Sequence, residues 1–214
     1  MKMLRILLLS ILTLVGVSLI WRRISRQRSL PCPTWMSGLV EGPLMDRVLG
    51  TQTTLDRIGL KRGQRVLEIG PGPGRLLIPA AKRVQPGGEV VGLDIQPGML
   101  VRLNARAARA GVSNLIAVLG DASKPQFPPE SFDLVYLCTV LGEIPDREAA
   151  IQQCYAALKP NGILSITEIF PDPHYQSRST VQRMAEAAGF HLKETHGLWY
   201  FFTANFVKAK GILN

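Results

Sequence analysis

The chain opens on an apolar run, ILLLSILTLVGVSLIW at 6–21, passes through a basic stretch, RRISRQR at 22–28, and then breaks into short apolar blocks separated by amphipathic ones. RVLEI (65–69), EVVGLD (89–94), LIAVLG (115–120), FDLVYL (132–137) and ILSITE (163–168) have the length and near-continuous hydrophobicity of strands buried on both faces. Helical spacing predicts helices near 75–84, 97–110, 146–158 and 177–188, and an amphipathic pattern from Leu44 to Ile58 predicts one more ahead of the first strand. The punctuation agrees: Pro97 suits a first helical position, Gly59, Gly111 and Gly189 suit stops, and Pro160 to Gly162 predicts a turn into the fifth strand. Strands alternating with helices predict an α/β fold, a Rossmann-like doubly wound sheet that is mostly parallel with helices on both faces. After Gly189 two β-type runs meet at His196-Gly197, which predicts an antiparallel C-terminal hairpin over 190–207.

As a helix, the run at 6–21 is roughly 24 Å of apolar cylinder, short for a bilayer crossing unless Leu4 and a snorkelling Arg5 extend it. Trp21 stands where an interfacial aromatic belongs. A cleaved signal peptide is the rival reading, but the basic flank follows at once without a small-x-small site. The reading adopted is an uncleaved anchor over 1–28, spanning or lying in the interface, then a Pro- and Gly-rich connector over 29–43 and one domain over 44–214 facing the cytoplasm. This also locates the charge. Of the net +9, six positive charges lie in the first thirty residues, so the remainder carries +3, an ordinary surface and not the basic stripe of a nucleic-acid enzyme. Cys32, Cys138 and Cys154 lie far apart with no metal-ligand spacing, so a reducing compartment and no metal are expected.

Candidate chemistry concentrates at the strand ends. VLEIGPGPGRL (66–76) is a strand ending in Glu68, followed by Gly70, Gly72 and Gly74 alternating with Pro71 and Pro73 before a helix. Such a turn lets main chain approach a ligand at the carboxyl end of an open α/β sheet. The dinucleotide pattern GxGxxG is not met, because the glycines are each two apart and Arg75 takes the third-glycine place; no GK[ST] follows either. The second strand ends in Asp94, about twenty residues on, where a carboxylate accepts ribose hydroxyls, and the third is followed by Asp121, within reach of an adenine amino group. Singly each acid is also a plausible cap or loop residue. Three at the ends of three successive strands point to one nucleoside-bearing ligand.

EIGPGPG (68–74), VVGLDIQPGML (90–100), GDASKPQFPPESFDLVYLCTVLGEIPD (120–146) and ALKPNGILSITE (157–168) resemble the successive motifs of class I S-adenosylmethionine-dependent methyltransferases, closest in flavour to the ubiquinone/menaquinone-biosynthesis group. The resemblance covers roughly 44–207. It implies a seven-stranded sheet with one antiparallel strand and S-adenosylmethionine as cofactor. It gives Glu68 and the Gly70, Pro71, Gly72 and Gly74 loop the methionine end, Asp94 the ribose with Ile95 and Gln96 beside the adenosine, and Asp121 and Ala122 the adenine edge. Residues 137–143, Cys138 among them, would line the methyl group and the acceptor. Because Pro71 and Pro73 lack amide donors, binding is expected to rely on the glycine amides and neighbouring groups.

A sulfonium is already an activated donor, so alignment suffices for an amine or thiolate acceptor, whereas a hydroxyl needs its proton removed. Glu143 is the leading acid–base candidate, followed by Glu168 at the end of the fifth strand and by His174. Their structural alternatives are a loop carboxylate, a sheet-end hydrogen bond and an exposed turn residue. The expected acceptor is small and lipophilic, because an anchored site samples molecules dissolved in or at the bilayer, with membrane lipid met through the N-terminal helix; aromatic residues in HGLWYFFTANF (196–206) are either pocket wall or core. Two other classes stay open: a nicotinamide-dependent reductase, and a non-catalytic membrane adaptor that keeps the nucleoside pocket.

Overall fold

The first apolar block becomes β1 (Arg65–Ile69), and the rest of the sheet is laid out on either side of it. The computed structural model describes residues 50–209 apart from Pro171, together with Thr13, Gly16 and Arg23. The expected anchor and connector otherwise lie outside the described residues, and among those described no helix is long and apolar enough to cross a membrane. The strands are β2 (Glu89–Asp94), β3 (Leu115–Leu119), β4 (Phe132–Cys138), β5 (Leu158–Ile169), β6 (Phe190–Leu198) and β7 (Phe201–Lys208). Among residues 50–209 the helices are α1 (Thr51–Ile58), α2 (Leu77–Arg83), α3 (Pro97–Arg109), α4 (Arg147–Ala157) and α5 (Arg178–Ala187), with a 3-10 turn at Leu141–Glu143.

The sheet runs β3-β2-β1-β4-β5-β7-β6. The first five strands are mutually parallel and β7 alone runs against its neighbours, giving the mixed seven-stranded sheet expected. Because side chains alternate along a strand, each central strand feeds two cores. Val66, Val90, Leu134 and Tyr136 pack under α1, α2 and α3, while Leu67, Ile69, Val135 and Ile166 pack under α4 and α5. Burial on both faces explains why these blocks read as continuous apolar runs. The C-terminal strand is tied back across the molecule: the buried Lys208 Nζ donates to the Leu158 carbonyl at 2.7 Å, and Asn205 Nδ2 donates to the Arg57 carbonyl at the end of α1.

Two expectations are corrected. The fifth strand does not wait for the Pro160–Gly162 turn but begins at Leu158, which pairs with Phe132, and the turn becomes a bulge, with Asn161 at φ 62, before pairing resumes at Leu134 and Ile163. The C-terminal hairpin turns at Trp199-Tyr200, not at His196-Gly197, and pairing is continuous through Gly197–Phe202 and Leu198–Phe201. Gly197 serves close approach within the ladder: a Cβ there would lie 2.3 Å from the Phe201 carbonyl oxygen. Gly197→Ala is expected to destabilise clearly more than Gly111→Ala, which shares a positive φ but meets open space, by about 1–3 kcal/mol against about 1. Thermal unfolding followed by circular dichroism checks this, and equal losses would contradict it.

Candidate active site

Between β1 and β4 the order of strands reverses direction, so the connections leaving these two neighbours depart to opposite faces and open a crevice at their carboxyl ends. The glycine loop fills the β1 side and residues 138–143 the β4 side. They meet at Gly70, whose φ is 67 and where a Cβ would lie 2.3 Å from Val140 Cγ2. Gly72, by contrast, faces open space, with nothing within 4 Å of the position a Cβ would take. The amides of the loop are turned inward: Gly70 N–H donates to the Leu93 carbonyl (2.8 Å), Gly72 N–H to Asp94 Oδ2 (3.1 Å) and Gly74 N–H to the Pro71 carbonyl (2.9 Å). The expectation that a ligand relies on these amides is therefore revised, since all three already have protein acceptors. The loop offers bare main chain of small profile.

The three acids stand at the tips of β1, β2 and the connection after β3. Asp94, buried, accepts from the Gly72 amide with one oxygen (3.1 Å) and from the Gln96 amide with the other (2.9 Å), and the Ile95 amide adds a third backbone donor. Burial holds its carboxyl above the usual range against these hydrogen bonds. Ile95 beside it is 58% exposed, an apolar surface next to the carboxylate. Asp121 is different. Its Oδ1 accepts from both the amide and the hydroxyl of Ser123, which lowers its pKa, so it is a fixed carboxylate, with Ala122 packed partly into the core behind it.

Glu68 is buried at 3% exposure, and burial pushes its pKa up to about 7, opposed by a 2.6 Å hydrogen bond from the Tyr136 hydroxyl and by the charge of Arg75. Sequence reasoning missed both partners. Tyr136 sits opposite Glu68 in the parallel register, and its signal was a lone tyrosine inside an apolar strand; Arg75 reaches Thr51 Oγ1 at 3.2 Å and Cys138 Sγ at 3.6 Å. Burial also pushes the Cys138 thiol up to about 11, so it remains protonated and fills space. Behind the loop a cavity of about 350 Å³ is lined by Gly50 to Thr53, Gly74, Arg75, Ile78, Pro79 and Arg106. It touches none of the three acids.

On the β4 side Thr139 adopts φ 56, a left-handed conformation that is costly for a β-branched residue and that turns the chain across the crevice. Glu143, half-buried, closes the 3-10 turn. The structural alternative offered for His174 is corrected: it lies in a turn but is only 6% exposed, because its backbone lies on Gly142, where a Cβ would meet the His174 carbonyl at 1.9 Å. Glu168, on the opposite face of the sheet from Glu68, accepts from the Gln176 amide with Oε2 (3.1 Å), while Oε1 is buried without a hydrogen-bond partner. Burial first, then the charges of Asp172 and Glu143, push its pKa up to about 8 from its ordinary 4.5. The structure brings Glu143, Glu168 and His174 to one end of β5, under the segment that follows it.

A carboxyl whose folded pKa is raised stabilises the fold fully below the unfolded value and loses that contribution as pH rises through the folded one. Stability attributable to Glu168 is thus complete below pH 4.5 and lost as pH rises through about 8. Glu168→Gln is expected to raise the thermal midpoint at pH 9 by several degrees while changing it little at pH 5; an equal change at both would contradict a protonated Glu168. Gly142→Ala is expected to displace residues 172–176 and to destabilise by about 1–3 kcal/mol, read from chemical denaturation.

Comparison with known proteins accords with this geometry. A family model described as a methyltransferase domain matches residues 66–162. The chain is 38% identical over 119 residues to nocamycin O-methyltransferase of Saccharothrix syringae, covering 56% of this chain and 42% of that protein. It is 32% identical over 140 residues to the ubiquinone/menaquinone biosynthesis C-methyltransferase of Pectobacterium carotovorum, covering 65% and 54% respectively. The chain thus spans about half the length of these relatives. Among solved structures, a SAM-dependent methyltransferase from Aquifex aeolicus shares the fold with a TM-score of 0.77 at 20% identity, over 84% of this chain and 100% of that one. Residues 66–162 are therefore similar to a methyltransferase domain, and the fold around them is the one that the SAM-dependent methyltransferase from Aquifex aeolicus has.

Proposed function

We propose that this chain transfers a methyl group from S-adenosylmethionine to a small lipophilic acceptor at a membrane, with the domain on the cytoplasmic side. The observation that supports the reading is the bare glycine loop at the switch point, tied to Asp94 through the Gly72 amide and following Glu68, with Asp121 after the next strand along the same edge. The donor set fits the cofactor: carboxylates for an ammonium and a pair of hydroxyls, and open space against Gly72 where a ligand can lie on main chain. Bound there, the cofactor supplies a methyl group on a positively charged sulfur.

The residues of the chain supply the rest. Asp94 takes the ribose hydroxyls, and Ile95 gives the purine an apolar surface. Asp121, kept ionised by Ser123, accepts from the adenine edge together with Ala122. Glu68 faces the methionine end, and a neighbouring ammonium favours its charged form. Cys138 to Glu143 wall the acceptor side, with Glu143 placed to take a proton where the acceptor is a hydroxyl. The membrane context is supported by the sequence alone, through the apolar run at 6–21 and its basic flank.

Incubation of the full chain with labelled methyl donor and host membrane extract is expected to label a lipophilic product, and labelling of water-soluble material alone would contradict the acceptor class. Asp94→Ala is expected to weaken S-adenosylmethionine binding by roughly tenfold or more, measured by calorimetry; tight nicotinamide binding with none of S-adenosylmethionine would instead support a reductase. Cofactor affinity is expected to rise with pH through about 7 as Glu68 ionises, and to lose this dependence in Glu68→Gln.

A further inference from the structure

The end of the sheet that carries the site also carries a cluster of exposed apolar side chains that neither core uses. Phe170, immediately beyond β5, is 42% exposed, and Leu198, Trp199 and Tyr200 at the β6–β7 turn are 60%, 63% and 46% exposed. Because β6 runs parallel to β5, this turn lies at the carboxyl ends of the parallel strands, on the same edge as the crevice. The cluster is built, not splayed. The Phe170 ring meets Trp199 edge-on at 5.2 Å and Tyr175 at 5.7 Å, and Trp199 meets Tyr200 at 5.5 Å. The Phe170 amide donates to the Tyr200 carbonyl at 2.7 Å and the Tyr175 hydroxyl donates to the Trp199 carbonyl.

Two guanidinium groups border it. Arg178 donates to the Gly197 carbonyl at 3.2 Å and lies over the Phe202 ring, and Arg57 lies over the Phe201 ring at 4.8 Å. Exposed tryptophan and tyrosine rimmed by arginine are complementary to one surface in particular, an anionic bilayer, where rings settle at headgroup depth and cations meet phosphates. The segment after β5 joins this cluster to the site, since it touches Trp199 through Phe170 and Gly142 through His174.

We propose that Phe170, Leu198, Trp199 and Tyr200 form a tip that inserts into the interface of an anionic membrane, with Arg57 and Arg178 on its headgroups, so that the acceptor side of the crevice opens toward the lipid. This rests on the lipophilic-acceptor reading above and adds to it a contact surface independent of residues 1–28. A lipophilic acceptor then reaches the crevice along the segment after β5 without crossing water.

The test uses the full chain carrying Trp21→Phe and Trp35→Phe, which leaves Trp199 as the sole tryptophan. On phosphatidylcholine–phosphatidylglycerol vesicles with brominated acyl chains, Trp199 emission is expected to shift to the blue and to fall by roughly half, the response of a ring within about 10 Å of the headgroup boundary. Arg57→Gln and Arg178→Gln are each expected to weaken the vesicle dependence of that quenching roughly fivefold at low salt. Unquenched Trp199 on vesicle-bound protein would overturn the proposal, as would emission already blue-shifted without vesicles and indifferent to them, the result if residues 1–49 cover the tip. Leu198→Glu with Trp199→Glu is expected to leave cofactor affinity in solution unchanged while abolishing transfer to an acceptor embedded in vesicles. Quenching without methyl transfer would sink the enzymatic reading and leave the tip standing, so the two fail separately.

Discussion

Asp94 and the glycine loop hold each other in place, and the rest of the site follows from that pairing. A chain leaving β1 at the switch point can cross the strand tips only where no side chain obstructs it and where its amides find acceptors in a dry place. Gly70 meets the first condition against Val140; the β2 tip meets the second, with the Leu93 carbonyl and the Asp94 carboxylate receiving successive glycine amides. The same carboxylate stands at the tip of β2 beside the loop. One residue thus ties the loop to the tip of β2.

The electrostatics divide along the two faces of the sheet. Toward α1–α3, Glu68, Tyr136, Arg75 and Cys138 form a buried polar cluster whose net charge depends on a single proton on Glu68 near neutral pH. Toward α4 and α5, Glu168 is more nearly neutral and holds the segment after β5 through the Gln176 amide. Both carboxyls are held above their ordinary range chiefly by burial, so charge arriving or leaving nearby changes their state. Asp121 stands apart as a half-exposed carboxylate fixed by Ser123.

Much of this was legible in the chain. Strands β1 and β2 fall on the residues that the apolar blocks marked, because burial on both faces leaves an uninterrupted hydrophobic signature, and the three acids are legible because each ends such a block. What escaped prediction depends on contacts between distant segments. Tyr136 becomes the partner of Glu68 only once β4 is known to lie beside β1, and Arg75 looked like a flaw in a glycine pattern until its reach to Thr51 was seen. The burial of His174 has no local cue, since it comes from Gly142 thirty-two residues earlier. The turn at Trp199-Tyr200 was misread for the opposite reason: Gly197 looked like a turn residue, but its missing side chain serves strand approach.

The most direct test of the account is a crystal structure of the full chain with S-adenosylhomocysteine, the demethylated cofactor. The account predicts the ribose hydroxyls within hydrogen-bonding distance of Asp94, the purine against Ile95 and Asp121, and the Gly72–Asp94 bond intact beneath the ligand. A cofactor seated instead in the cavity between α1 and Arg75, with Asp94 and Asp121 facing only water, would contradict it.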